Sequence, residues 1–232
     1  MPEGNFFHYD QAAVDHLARK DKKLAAAMQA IGPVRREVMP DLFQALMHAI
    51  TGQQISMAAQ RTVWGRLCGL LGEVTPQALL AQPQTALQAL GLSARKVDYM
   101  RGIARQVVDG ELDLPGMAAL EDAEVCRRLA ALRGIGVWTA EMLLLFSLQR
   151  PDILSYDDLA IRRGLRMLYR HKEMPRERFE RYRRRFSPYG SLASLYLWAI
   201  AGGALPELGD PAERKKGRSR PAASLKSTVT KD

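Results

Sequence analysis

Gly134, Gly136 and the aspartates at 157 and 158 are the residues whose spacing first suggests chemistry. Val125, Leu129 and Leu132 fall at helical spacing and end one helix. Val137, Ala140, Leu144 and Leu148 fall on one face of the next. Between them stands the turn Gly134-Ile135-Gly136. Glycine tolerates positive φ and presents no Cβ to a close neighbour. A helix beginning at such a turn directs its unpaired N–H groups outward, toward an anion. A DNA phosphate is a natural guest. About twenty residues later Tyr156-Asp157-Asp158-Leu159 opens another helix, which continues through Ile161-Arg162-Arg163. Aspartate is a favoured N-cap, and Asp157 fits that place better than Asp158.

Charge agrees with a polyanionic partner. The chain of 232 residues carries a net charge of +9, and a balance of this sign suits nucleic acid. From Ala212 to Asp232 seven basic residues face two acidic ones, a net +5, with few apolar residues among them. That segment cannot bury enough surface to fold alone, and reads equally as a solvated tail or a DNA-tethering arm. Cys68 and Cys126 stand far apart, and His8, His16, His48 and His171 show no ligand spacing, so neither a disulfide framework nor a zinc site is expected. No apolar run is long enough for a membrane span, and the N-terminus does not read as a secretory signal. The expectation is a cytoplasmic, nucleoid-associated protein with no membrane partner.

The stretch Leu132-Arg133-Gly134-Ile135-Gly136-Val137-Trp138-Thr139-Ala140 resembles the helix-hairpin-helix of the endonuclease III (HhH-GPD) superfamily of DNA glycosylases. Asp158 stands where that family has its catalytic aspartate. Trp138 stands where bifunctional members carry a nucleophilic lysine, so the chain is similar to the monofunctional, AlkA-type branch of 3-methyladenine DNA glycosylases. The resemblance runs from about Asp41 to Ala201.

That resemblance implies an N-glycosyl hydrolase without lyase activity, acting in base excision repair on double-stranded DNA with a damaged base. The substrates would be 3-methyladenine and 7-methylguanine, extending to ethenoadenine or 1-methyladenine. The hairpin would grip phosphate through Gly134, Gly136 and the first turn with Trp138 and Thr139. Backbone carbonyls of Ala130, Leu132 and Gly134 would hold a structural Na+ or K+. Thr51-Gly52-Gln53-Gln54-Ile55-Ser56 resembles the family's helix-break loop, with Gln54 as the wedge and Gln53 beside it; a plain loop with buried amides is a fair alternative for Gln53. Trp138 and Trp198 match pocket aromatics, and Tyr156 would extend the wall. Asp158 would stabilise the positive charge of an oxocarbenium-like transition state. Arg162 and Arg163 would contact phosphates. No cofactor for catalysis is expected, and nothing after Cys126 could hold the iron–sulfur cluster of some relatives. The chain departs from the AlkA pattern itself at Gln54, where that pattern has a leucine, at Met142, where it has a tyrosine, and at Tyr189-Gly190, which replaces a Trp-Arg pair. Both of the last two changes add room to the pocket. A non-catalytic helix-hairpin-helix DNA-binding protein, or a glycosylase for another damaged base, remain as alternatives.

The elements that must position these residues are helical throughout. Asp10, Asp21, Asp41, Ser56, Thr75-Pro76 and Ser93 each stand where a helix can begin. Gly32, Gly91 and Gly202-Gly203 stand where helices can stop. About a dozen helices with short links are expected and no alternating strands. The fold class is all-α, with two helical lobes, a monomer with its cleft and Asp158 between them. Residues 41–150 would form one lobe, 1–40 with 151–206 the other, and 207–232 a basic tail.

Overall fold

The computed structural model describes residues 5–212. The basic segment falls almost wholly outside them. The described residues form twelve α-helices: α1 Gln11–Lys20, α2 Lys22–Ile31, α3 Leu42–Gly52, α4 Met57–Leu71, α5 Pro76–Ala81, α6 Gln84–Ala89, α7 Ala94–Val108, α8 Asp122–Ala130, α9 Val137–Phe146, α10 Leu159–Tyr169, α11 Arg176–Phe186 and α12 Gly190–Ala201. A short 3-10 helix, Pro115–Ala119, lies between α7 and α8. Among the described residues the β pairing is limited to one isolated bridge between Phe6 and Glu37.

The helix starts follow from local chemistry. The side chains of Asp10, Asp21, Asp41, Ser56, Thr75 and Ser93 each accept a hydrogen bond from the first turn of the helix they precede. Such caps are worth ~1 kcal/mol each, because the donors they satisfy have no partner within the helix. Gly32 ends α2 at φ +77, a conformation that glycine enters without strain.

The helices pack in two sets. In one, α3 lies against α4, α7 and α9, α7 also against α5 and α6, and α8 against α9. In the other, α10 lies against α12 and α2, and α1, α2, α11 and α12 contact one another. The chain crosses between them at residues 39–40 and 146–153. There Met39 N–H donates to the Phe146 carbonyl at 2.9 Å, and Ser147 Oγ donates to the Pro40 carbonyl at 3.3 Å. Ser191 Oγ accepts from the Ile153 N–H, and Ser194 Oγ donates to the Ile153 carbonyl. These bonds fix the segment leading into α10.

The α10–α12 crossing is the closest in this set. α12 is buried around nearly its whole circumference, and α10 buries Ile161, Gly164, Leu165 and Leu168. A Cβ at Gly164 would stand 2.3 Å from the Leu197 carbonyl oxygen. That oxygen is backbone and cannot rotate away. Gly164→Ala is therefore expected to destabilise the fold by about 1–3 kcal/mol in urea denaturation. Gly69→Ala, in α4 with nothing within 4 Å of its Cβ, is expected to be neutral or to stabilise by up to ~1 kcal/mol.

Candidate functional site

The hairpin joins α8 to α9, and its two glycines do different work. Gly134 has φ +90, and a Cβ there would lie 2.3 Å from the Tyr99 ring. Gly136 has an ordinary extended backbone and caps α9 without any side-chain hydrogen bond. A Cβ on Gly136 would meet nothing within 4 Å. Positive φ and a close neighbour thus belong to Gly134 alone, while open space lies beside Gly136. Ile135 between them is buried and anchors the turn. Val137, expected on the buried face, is half exposed, and so is Trp138 at 46%. The first turn of α9 therefore presents apolar side chains and unpaired N–H groups together.

The helix break follows α3. Gln53 ends the helix, Gln54 is exposed with φ +57, and Ser56 caps α4. A non-glycine residue in the left-handed region is strained and persists only when its surroundings impose it. Gln53 Nε2 donates to the Gly134 carbonyl at 2.7 Å. Lys96 Nζ donates to the Thr51 carbonyl at 2.8 Å, and burial pulls its pKa below the usual lysine value. Gln60 Nε2 donates to the His48 carbonyl at 3.0 Å. Burial also lowers the pKa of His48, favouring its neutral form.

These side chains surround a cleft of about 850 Å³. Its walls include Gln53, Gln54, Gly134, Gly136, Trp138 and Thr139, with Met142 one turn beyond Trp138. His48, Gln60, Lys96, Tyr99 and Phe146 line it too. Sequence reasoning missed these five. Lys96 and Gln60 carry no motif, whereas Phe146 stands two turns after Trp138 on the same face and was within reach of the helical period.

Asp158 adjoins this cleft through Trp138 and is not among its lining residues. The residue is 7% exposed, and its carboxylate accepts from three helices. Trp138 Nε1–H donates to Oδ2 at 3.0 Å. Trp198 Nε1–H donates to Oδ1 at 3.1 Å, and the Ile161 N–H to the same oxygen at 2.8 Å. Asp158 is thus the N-cap of α10, a role the sequence suggested for Asp157. Both tryptophans meet the aspartate through their N–H edges. Trp198 also stacks on Phe146, with centroids 5.4 Å apart and planes at 21°, so its ring joins the carboxylate to the cleft wall.

Tyr156, Arg162 and Arg163 are arranged differently from the expectation. Tyr156 does not line the cleft. It packs edge-on against Phe179, with the guanidinium groups of Arg162 and Arg176 each 4.9 Å from its centroid. Arg163 Nε lies 3.7 Å from Asp210, which Arg166 also holds. Tyr156 is half-buried against the core, and Arg163, its side chain 42% exposed, shares Asp210 with Arg166. Of the carbonyls expected to hold a cation, Leu132 already accepts from the Ile135 N–H, and Gly134 from Gln53. Leu159, next to Asp158, is 73% exposed, and Met57, just past the helix break, is 76% exposed.

Residues 47–188, more than half of the chain, match the model of the HhH-GPD superfamily base excision DNA repair proteins. The chain is 30% identical over 191 residues to DNA-3-methyladenine glycosylase 1 of Schizosaccharomyces pombe, covering 79% of this chain and 84% of that protein. It is 30% identical over 173 residues to DNA-3-methyladenine glycosylase 2 of Escherichia coli, covering 70% of this chain and 58% of that protein. The crystal structure of a DNA-3-methyladenine glycosidase from Bacillus halodurans aligns with a TM-score of 0.77 at 34% identity, over 85% of this chain and 93% of that one. The S. pombe enzyme in complex with abasic DNA aligns with a TM-score of 0.71 at 30% identity, over 81% of this chain and 95% of that one.

The three donors on Asp158 make a stability prediction that does not depend on activity. Asp158→Ala removes a helix cap and strands two indole N–H groups, and is expected to lower the unfolding free energy by about 2 kcal/mol. Asp158→Asn keeps one carbonyl oxygen for the cap and should lose roughly half as much. Asp157→Ala should change it by less than about 0.5 kcal/mol. Urea titration of the three variants checks the order.

Proposed function

Because the chain belongs to the HhH-GPD superfamily of base excision DNA repair proteins, we propose that it is a monofunctional DNA glycosylase for alkylated purines. It hydrolyses the N-glycosidic bond of 3-methyladenine and 7-methylguanine and leaves an intact abasic strand. The observation that carries this reading is the carboxylate of Asp158, buried beside an aromatic-walled cleft and fixed in direction by Trp138, Trp198 and the first turn of α10.

The chemistry follows from what an alkylated purine is. The base must leave the stack, at a cost of a few kcal/mol. Once outside, a cationic purine is attracted to electron-rich rings, and Trp138 and Phe146 in the cleft wall supply them, Phe146 backed by the stacked ring of Trp198. The alkylated base is already a good leaving group, so the protein's task is to stabilise the positive charge that develops on the sugar. A fixed carboxylate does that without reorganising during the step. The exposed Gln54 fills the gap left in the duplex. The N–H groups of the α9 first turn, with Thr139, take a phosphate. A Na+ or K+ on the carbonyls of Ala130, Leu132 and Gly134 would use the second lone pair of the two that already accept a bond, and would add positive charge beside that phosphate.

The absence of strand cleavage rests on where the amines are. The sequence has no lysine between Lys96 and Lys172. Lys96 lines the cleft from α7, where its Nζ donates to the Thr51 carbonyl, and Trp138 stands at the hairpin position beside Asp158 from which an amine would reach the sugar. The protein is read as a monomer acting on duplex DNA at the nucleoid. Among the described residues no helix is long and apolar enough to cross a membrane.

Two experiments test this function. In single-turnover assays on 7-methylguanine duplex, Asp158→Asn should keep lesion-DNA binding and lose base release by several orders of magnitude, while Asp157→Asn loses far less. The product should be cut only after alkali, and borohydride should trap no covalent adduct. Equal losses in both variants would make Asp158 the wrong acid, and a trapped adduct would end the monofunctional reading. Met142, flexible where a tyrosine is usual, widens the pocket. Met142→Tyr is expected to slow excision of ethenoadenine more than that of 3-methyladenine. One common factor for both would mark Met142 as packing only.

A further inference from the structure

The strained residue at the helix break is held from three sides, and one of those holds reaches an element far away in sequence. Gln54 has φ +57 and its side chain is exposed, so nothing in its own contacts keeps it there. The residues just before it are gripped. Gln60, from α4, donates to the His48 carbonyl and fills the space beside Gly52, where an added Cβ would lie 2.4 Å from its amide nitrogen. Lys96, from α7, donates to the Thr51 carbonyl. Both bonds tie the break to neighbouring helices of the same set.

The third hold differs in kind. Gln53 Nε2 donates at 2.7 Å to the carbonyl of Gly134, 81 residues on, in the hairpin turn. Gly134 is itself closely packed: its φ is +90, and the Tyr99 ring stands where its Cβ would be. Tyr99 and Lys96 stand one turn apart on α7, so one helix face braces the hairpin and the loop together. The amide of Gln53 is the direct bond between them.

We propose that Gln53 is a positioning residue that sets the wedge at Gln54 in register with the phosphate grip of the hairpin. This rests on the glycosylase reading above. A duplex fixes the distance between a gripped phosphate and the gap left by the extruded base. A wedge that drifts relative to the grip fills that gap badly, and misplacement by about 1 Å can cost on the order of 100-fold in rate. Gln53 makes the two parts one rigid clamp, so its effect appears in extrusion and not in the bond-breaking step.

The test separates those two steps. The full-length protein is compared with Gln53→Met, which keeps the side chain's length and removes the donor, and with Gln53→Glu, which sets an acceptor against the Gly134 carbonyl. Each is assayed under single-turnover conditions on 7-methylguanine paired with cytosine and on the same lesion in a three-base unpaired bubble, where extrusion requires little. Thermal unfolding is recorded alongside, as is the fluorescence of 2-aminopurine next to the lesion. Both variants should lose about 10–100-fold more rate on the paired lesion than on the bubble. The 2-aminopurine signal of extrusion should weaken, and the melting temperature should stay near that of the wild type. Equal losses on the two substrates, or no loss on either, would overturn the proposal. A wild-type protein that releases base from neither substrate would instead overturn the glycosylase reading, and the positioning role with it.

Discussion

A single carboxylate shared by three helices sets the terms for the rest of this structure. Asp158 accepts from the α9 indole at Trp138, the α12 indole at Trp198 and the first turn of its own helix α10. Those donors converge only if α9, α10 and α12 hold fixed relative positions. The Gly164–Leu197 approach sets α10 on α12, and Ser191 and Ser194 hold the segment that leads into α10. The Phe146–Trp198 stack then carries the position of α12 back to the end of α9. Buried charge is tolerated only when its oxygens are satisfied, so the same three bonds that aim the carboxylate also make its burial possible.

The cleft and the carboxylate are built by different means. The cleft lies within the α3–α9 set, where polar side chains hold carbonyls left free by a broken helix and a tight turn. Asp158 belongs to the other set and meets the cleft at Trp138. That residue is therefore both wall and ligand. It lines the cleft, and its indole N–H orients the acid.

Much of this was legible in the sequence because it is local. Every expected cap, from Asp10 to Ser93, lies within three residues of the donor it satisfies. The all-α class follows from those starts and from the helical spacing between them. The Gly-Ile-Gly turn was readable as a turn, but the division of labour between its glycines was not, because the positive φ of Gly134 and the Tyr99 ring beside it come from the folded chain. Asp157 and Asp158 are chemically identical and adjacent, and the choice between them was made by indoles that are 20 and 40 residues away. The neighbours of Tyr156 and Arg163 were equally hidden, since Phe179 and Asp210 stand more than twenty residues further along the chain. Lys96 and Gln60 had no signal at all, since their partners are backbone carbonyls, which look the same at every position.

The exposed apolar residues at the helix break and around Asp158 have a calorimetric consequence. Met57, Val137, Trp138 and Leu159 leave hydrocarbon and indole surface in water around a basic protein. Where DNA covers such residues, water leaves apolar surface as well as charged surface. Counterion release is sensitive to salt and carries little heat-capacity change of its own, whereas burial of apolar surface lowers the heat capacity. Association with DNA then has two separable parts, one that fades as ionic strength rises and one that remains and grows more enthalpic on warming.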